Sequence, residues 1–471
     1  MRSAILLGFL ALYGCATAPG YRSSSVRPPS SFREDPHPLT PSPSGRGGTQ
    51  DEPAVSSAYW DQLGDTTLTR LVGEVLRGNL DVRSARARVS AARSDRVRSV
   101  LDLTPSATLQ AGYSRQRLSS ASFPGAFGVF PDQNVWDAGA NASWDLDLFG
   151  GIRHTVQARG ALADVAQEDL RNVQVTLTAE VARAYFELRG AQEQLDVARR
   201  NAENQRRTFD LTKQRLDAGR GSSFDTERAQ AQLSSTLASI PAREAQVAAA
   251  QYRIGTLVGR APTEVARELE QIGQLPRLPE VTSIGAPETV VRYRPDVASA
   301  ERFAAAQGAL VGAAKASYLP RLTIGGSVGY AAPDFNSVGN QGTLRYVVGP
   351  VLTWPGLNLG RVKAEVDAAA AREDAARAQY GRVVLAAMED METSLARYRA
   401  ARLQVERLED ASAASERAAE LARMRFREGV TDFLQVLDAE RTELEAQDRL
   451  AQSRIDAATA YAALYKAAGG Q

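Results

Sequence analysis

Cysteine is almost absent. Cys15 is the only one in 471 residues, which excludes a disulfide framework and any zinc site built from several thiolates. Histidine is nearly as scarce: His37 and His154 are the only two, so imidazole-based metal or acid–base chemistry has little to draw on. The chain contains no P-loop, no G-x-S-x-G elbow and no H-E-x-x-H pair. Neither sign of charge dominates. Lys and Arg number 56 against 55 Asp and Glu, with bases interleaved among acids, so no patch suited to nucleic acid stands out. Carboxylates sit mostly among arginines at helical spacing, as in Glu406, Arg407 and Glu409, a pattern of solvated helix faces. These absences argue against an enzyme, and no cofactor or metal is expected.

A long hydrophobic run is missing too. The one apolar stretch near the start, Ala4 to Leu12 after the positive Arg2, is too short to span a bilayer and suits a secretory signal over residues 1–14. Leu12-Tyr13-Gly14-Cys15 resembles a bacterial lipobox, which implies that Cys15 becomes the lipidated first residue. Ala16 in the following position resembles an outer-membrane address. Residues 15–58 are rich in Pro, Ser and Gly and read as a lipidated N-terminus and flexible tether, unable to bury enough surface to offset chain entropy.

What is present is a duplication. Each half reads as an Ala-rich helix, a proline, an alternating strand, a loop, a second alternating strand, a glycine, a very long helix, a glycine and another helix. The landmarks are Pro105, Gly150-Gly151 and Gly219 in one half, and Pro320, Gly360 and Gly429 in the other. The first repeat is assigned to 59–275 and the second to 276–471.

Proline and glycine are withheld where the long helices run. No proline lies between Gly151 and Pro241, and none follows Pro355. Leu177, Val181, Ala184, Leu188, Ala191, Leu195 and Ala198 follow each other at alternating gaps of four and three, the heptad spacing of packed helices. Val384, Met388, Met391, Leu395, Tyr398 and Val405 continue that phase in the second half. Long helices are expected over about 152–218 and 360–428, each roughly 100 Å long at 1.5 Å per residue, followed by helices over about 222–258 and 431–468.

The strands alternate. From Ala138 to Leu148 every second residue is apolar; Leu322, Ile324, Val328 and Tyr330 alternate with Thr323, Gly325, Ser327 and Gly329; Leu344, Tyr346, Val348, Leu352 and Trp354 continue the pattern. Ala107, Leu109, Ala111 and Tyr113 make the weakest run. Strands are expected over about 105–116, 137–149, 320–331 and 344–355. Each has the length of a tilted transmembrane strand, and Trp144, Tyr330, Tyr346 and Trp354 suit aromatic girdles. A soluble sheet with one wet face would show the same alternation. Four strands cannot close a transmembrane barrel, since the smallest have about eight, and lipid tolerates no open edge. Membrane-spanning strands therefore require oligomerisation.

Several stretches resemble one family. Trp60-Asp-Gln-Leu-Gly-Asp65, Leu68, Leu71 and Gly78-Asn79-Leu80-Asp81 look like the opening of TolC-like outer-membrane efflux channels of the lipoprotein subgroup. Arg294-Pro-Asp-Val297, Ala300-Glu301, Gly312-Ala-Ala314 and Pro320 resemble its central signature. Asp147-Leu-Phe-Gly150 with Arg153 resembles its strand-to-helix exit, and Gly429-Val-Thr-Asp-Phe-Leu434 with Val436-Leu-Asp-Ala439 its second helix turn. The resemblance spans about 59–468. It implies a mainly α protein with a transmembrane β portion. In a homotrimer, four strands per protomer would make a 12-stranded outer-membrane β-barrel, and the helical hairpins a periplasmic α-barrel. The implied function is the exit duct of a tripartite efflux system, with outer-membrane lipid, a periplasmic adaptor (membrane fusion) protein and an inner-membrane pump as partners. A type I protein secretion duct and a soluble periplasmic coiled-coil scaffold are the alternatives.

The two helix turns matter most within that picture. Arg215-Leu-Asp-Ala-Gly219 and Arg425-Phe-Arg-Glu-Gly429 end the long helices, each glycine suited to the left-handed closing position. The resemblance makes Gly219, Arg220, Gly429, Val430 and Thr431 candidate adaptor-docking tips. Threefold symmetry turns any inward carboxylate into a ring, which at a constriction favours cations. Asp225 and Glu227, and Asp432, Asp438 and Glu440, lie just beyond the turns. Counted from the glycine, Asp438 matches an entrance-gate aspartate of the family, and Gln435 stands where some members carry a second acid. The candidate periplasmic gate is therefore Asp438, Gln435, Asp432 and Asp225.

Overall fold

The computed structural model describes residues 58–119, 130–280 and 287–470. Cys15 and the tether up to residue 57 lie outside them. The first half contributes α1 (Ala58–Asp61), α2 (Thr66–Gly78), α3 (Leu80–Leu101), β1 (Ser106–Gln116), β2 (Gln133–Asp145), α4 (Gly151–Asp217), α5 (Ser223–Val258) and α6 (Pro262–Glu268). The second contributes α7 (Pro287–Tyr293), α8 (Pro295–Ala316), β3 (Arg321–Ala332), β4 (Leu344–Thr353), α9 (Leu359–Arg427) and α10 (Phe433–Ala467). Among the described residues no helix is long and apolar enough to cross a membrane.

The long helices α4 and α9 run 67 and 69 residues, about 100 Å each at the α-helical rise. All seven apolar heptad residues from Leu177 to Ala198 are buried, as are Val384, Met391, Leu395 and Tyr398, with Met388 and Val405 half-buried. Gly190 interrupts α4 for a packing reason: a Cβ there would fall 2.0 Å from Ile455 on α10.

The strands form one antiparallel sheet in the order β1-β2-β3-β4. The β2–β3 pairing joins the two halves. Its register aligns the alternating runs into rows such as Leu109–Ala140–Val328–Tyr346 and Ala111–Ala138–Tyr330–Leu344. One face is therefore apolar across all four strands, because side chains two residues apart share a face. The opposite face carries Thr108, Asn141 and Ser327 in one row, which ends on Val347 of β4.

The second strand differs from the expected 137–149. It begins at Gln133 because β1 extends to pair Gln116 with it, and it ends at Asp145. Asp145 accepts a 3.1 Å bond from the Asp147 N–H, and Asp147 turns the chain at φ 44°. The Asp147 carboxylate then accepts the N–H groups of Ile152 and Arg153, both at 2.9 Å. The unpaired N–H donors at the start of α4 are thereby capped, so Leu146 and Leu148 belong to the turn and not to the strand.

The halves repeat their contacts as well as their elements. Trp144 donates its indole N–H to the Leu103 carbonyl at 2.9 Å, and Trp354, just past β4, donates to Tyr318 at 3.0 Å. Each acceptor lies two residues before the proline that opens the strand pair. Asn79 donates to the Leu257 carbonyl at the end of α5 at 2.8 Å, and Arg294 donates to the Ala467 carbonyl at the end of α10 at 3.2 Å. Arg294 is 7% exposed and also grips Asp296 through two bonds of 3.0 and 2.7 Å. The Arg-Pro-Asp-Val stretch is thus a structural clamp.

The compact units do not follow the sequence halves. One takes Arg88–Gln167 and Ser299–Gly381, including the sheet; the other takes the segment up to Ala87, Glu168–Ala298 and Arg382 onward. In the second unit the core centres on Trp60, Tyr185, Phe186, Tyr461 and Tyr465, all fully buried. Tyr59 stacks on Tyr461 with ring centres 5.1 Å apart, and Trp60 lies 4.9 Å from Tyr465. Burial pushes the Tyr465 phenol up to about 12. Asp65 caps α2 through Thr67 and Leu68 and accepts the Tyr185 hydroxyl at 2.6 Å, so the Trp60–Asp65 motif builds this core.

Candidate functional site

The two helix turns close with the same geometry. Gly219 and Gly429 have φ of 70° and 77°. Arg220 N–H bonds the Arg215 carbonyl at 2.8 Å and Gly219 N–H the Leu216 carbonyl at 2.9 Å; Val430 and Gly429 repeat this with Arg425 and Phe426 at 2.9 and 3.0 Å. Both are Schellman closures, in which a left-handed residue satisfies the last carbonyls of the helix. Ser222 caps α5 through Phe224 N–H, and Asp432 caps α10 through Gln435 N–H.

The turns are tied to each other by Arg215. Its guanidinium donates to the Phe426 carbonyl at 2.9 Å and lies 4.5 Å above the Phe426 ring, a cation–π geometry. Phe426, Phe433, Val436 and Ala229 form a small core beneath, with Phe209 and Leu437 at its edge.

Above that core the seam between α4 and α10 is polar. Gln194 meets Gln452 at 3.2 Å, Asn201 meets Gln447 at 2.8 Å and Thr208 donates to Glu440 at 2.8 Å. Arg423 on α9 donates to Glu440 at 2.9 Å and also bonds Glu443. Both glutamates are 3% exposed. Burial raises Glu443 above the usual carboxylate range against the pull of Arg423. For Arg423 burial works against the charge, but its bonds with Glu440 and Glu443 outweigh it and hold the guanidinium above its ordinary value. Gln205 on α4 is 3% exposed, and neither end of its amide finds a partner among the described residues.

The candidate gate residues separate. Asp438 is exposed and pairs with Arg441 at 3.3 Å. Gln435 and Asp432 are exposed; Gln435 accepts the Thr431 hydroxyl, and Asp432 is engaged as the α10 cap. Asp225 is half-buried and Glu227 exposed. Glu440 is corrected from a candidate ring carboxylate to a buried one, held within the chain by Thr208 and Arg423. Glu409 is not simply a solvated carboxylate either: Arg454 bridges it to Glu193 at 2.9 and 2.7 Å. Among the tip residues Arg220 and Gly219 are exposed, Val430 is 65% exposed, and Thr431 is half-buried.

Arg215, Arg423 and Glu443 carry the most specific contacts here, and Gln205 is buried without one; the sequence reading gave none of them a role. Part of the signal was present: Gln205 stands seven residues after Ala198 in an apolar row, and Gln194, Asn201, Thr208 and Arg215 are spaced by sevens one position before the row of Leu188 and Leu195. The His154 ring fills the space that a Cβ at Gly312 would enter at 2.9 Å. No cluster of potential metal ligands occurs among the described residues.

The sheet's apolar face is uncovered among the described residues. Leu109, Tyr346, Val348 and Leu352 are 88%, 74%, 74% and 67% exposed. The outer edges of β1 and β4 have no strand partner among the described residues.

Comparison with known proteins points one way. The pattern of the family described as outer membrane efflux protein matches residues 71–260 and 287–470. The pyoverdine export outer membrane protein OpmQ of Pseudomonas aeruginosa is 29% identical over 467 residues, covering 98% of this chain and 95% of that protein. Nodulation protein T of Rhizobium leguminosarum bv. trifolii is 26% identical over 465 residues, with the same coverage of 98% and 95%. Among solved structures, the outer-membrane channel OprN superposes with a TM-score of 0.86 at 36% identity, over 97% of this chain and 99% of that one.

Proposed function

The chain belongs to the outer membrane efflux protein family, and we infer that three copies of it close one 12-stranded barrel, through which an inner-membrane pump with its periplasmic adaptor discharges cargo. Family membership makes it an outer-membrane transport conduit and not an enzyme. The observation that carries the trimer is the sheet. Its register makes one continuous apolar face, and its two edges have no strand partner among the described residues. In lipid an open edge leaves backbone groups unsatisfied, so the edges must pair with neighbouring copies. The apolar face then meets lipid, and the polar face lines the lumen.

Trp144 and Trp354 mark the end of the sheet that leads into the long helices, and Tyr113, Trp136, Tyr330 and Tyr346 lie toward the other. Indole and phenol groups favour the two membrane interfaces, which supports a barrel axis along the strands with the helices continuing into the periplasm. Cys15 supplies a lipid anchor on the periplasmic side; mass spectrometry of the mature N-terminus tests it, and an unmodified cysteine rejects it. The pyoverdine named for OpmQ favours small-molecule efflux over protein secretion.

The turns at Gly219-Arg220 and Gly429-Val430-Thr431 serve as docking tips for the adaptor. Asp438, with its exposed carboxylate, lines the periplasmic gate together with Gln435. Asp432 and Asp225 stand beside it, the first occupied in capping α10. Single-channel recording of the purified full-length protein tests the reading. Discrete conductance steps support a duct, and Asp438→Asn should raise conductance and lower cation preference. Wild-type values in both would reject the gate role, and absence of conductance in the wild type would reject the duct.

A further inference from the structure

The polar face of the sheet carries a charge arrangement that the family assignment does not explain. On the strands, four charged residues lie on that face: Asp137 and Asp145 on β2, Arg321 on β3 and Arg345 on β4. They pair across strands, Arg345 with Asp137 at 3.7 Å and Arg321 with Asp145 at 3.1 Å. Formal charge therefore cancels, but position does not. Arg345 and Arg321 are 57% and 70% exposed, whereas Asp137 and Asp145 are 28% and 21% exposed. In both pairs the guanidinium stands toward the open side and the carboxylate sits behind it.

The donors are also spare. A guanidinium has five N–H groups in a planar fork that matches carboxylate and phosphate oxygens. Arg321 meets its aspartate through Nε at 3.1 Å. The 3.7 Å contact of Arg345 is longer than a hydrogen bond. Neither guanidinium has another partner among the described residues. Asp145 gives one oxygen to the Asp147 N–H and the other to Arg321, so it cannot move further out over the guanidinium without giving up the turn.

The surface between the two pairs is kept low. In strand register the polar face of β2 and β3 presents Ser143, Asn141 and Gly139 beside Gly325, Ser327 and Gly329. At Gly139 and Gly329 a Cβ would come within 2.7 and 2.6 Å of the opposing backbone, so no side chain can be introduced there without displacing a strand. Arg345 pairs in register with Gly329 and reaches Asp137 over this glycine lane. Along β3 the Arg321 and Gly329 rows are eight residues apart, about 26 Å at the strand rise.

We propose that Arg321 and Arg345 form two guanidinium layers on the lumenal face of the barrel and favour anionic solutes, carrying carboxylate or phosphate-like groups, on the way out. This rests on the duct reading, in which the polar face lines the lumen of a trimer and each arginine becomes a ring of three. A ring of like-charged side chains at close quarters biases which ions pass. The entrance gate and the barrel then act as filters in series, one set by carboxylates and one by guanidiniums.

Reversal potentials across planar bilayers in a KCl gradient test this with the full-length protein. Arg321→Gln combined with Arg345→Gln should raise the potassium-to-chloride permeability ratio about twofold or more over wild type, after screening by salt. Asp137→Asn unmasks Arg345 and should move the ratio the opposite way, so a folding failure in the arginine variant leaves an independent arm. Unchanged ratios in conducting variants, or shifts of the same sign in both, overturn the proposal while leaving the duct intact. A wild-type protein that forms no conducting pore overturns the duct reading and this proposal with it.

Discussion

Leu109 on β1 and Val348 on β4 are 88% and 74% exposed, whereas Trp60, Leu68, Val181 and Ile254 are sealed at 0%. The sheet and the aromatic-centred helices of one chain thus treat apolar surface in opposite ways. The helices bury theirs against each other: Tyr59, Trp60, Tyr461 and Tyr465 interlock with ring centres about 5–6 Å apart, the range in which aromatic pairs attract. The sheet has nothing among the described residues to bury its apolar face against. Its register is fixed by backbone bonds and by small residues such as Gly139 and Gly329, while its apolar side is reserved for another phase. The difference separates what a single copy completes from what needs lipid and further copies.

The largest break in that contrast is a charge on the sheet. Leu109→Arg should abolish stable outer-membrane insertion, since a basic residue near the bilayer midplane costs about 2–4 kcal/mol and a trimer carries it three times. Heat-modifiable migration on gels and detergent-dependent extraction from washed membranes report it, and normal insertion would show that this face does not meet lipid. Trp60→Ala comes next. It should lose about 3–5 kcal/mol from the helical core, read as a lower melting temperature of the helical signal. Strand content and membrane insertion should persist if the two regions are as separable as their burial suggests.

Both regions were legible in the sequence to different degrees. The heptads from Leu177 to Ala198 and the alternation in β3 and β4 located helix and strand because burial on one face imposes a period. The register of β2 on β3, which makes the apolar runs one surface, could not be read, since it pairs residues of the two halves. The end of β2 was misplaced because Leu146 and Leu148 keep the alternation while Asp147 turns the chain. At the turns, Gly219 and Gly429 announced themselves, but the buried set of Arg423, Glu440 and Glu443 did not. A carboxylate at helical spacing from an arginine looks the same whether it faces water or a neighbouring helix.

The smallest effect sharpens the contrast from the helical side. Burial raises Glu443, so the folded chain holds that proton more tightly than the unfolded one. Its contribution is complete below the ordinary glutamate value of 4.5 and is lost as pH rises through the raised value. Acidification from neutral should therefore raise the amide protection factors, which remove the intrinsic pH dependence of exchange, between Arg423 and Gln447, and Glu443→Gln should flatten that dependence. The sheet should show no such response, and an unchanged pH profile in the variant would assign the sensitivity to another group.

The most direct measurement is the mass of the full-length protein extracted in mild detergent and examined by native mass spectrometry. A sheet with one continuous apolar face and two open edges predicts a species of three chains that retains bound lipid or detergent and its strand content. A monodisperse single chain with an intact sheet would contradict the account, because four strands would then have satisfied their edges without a neighbour.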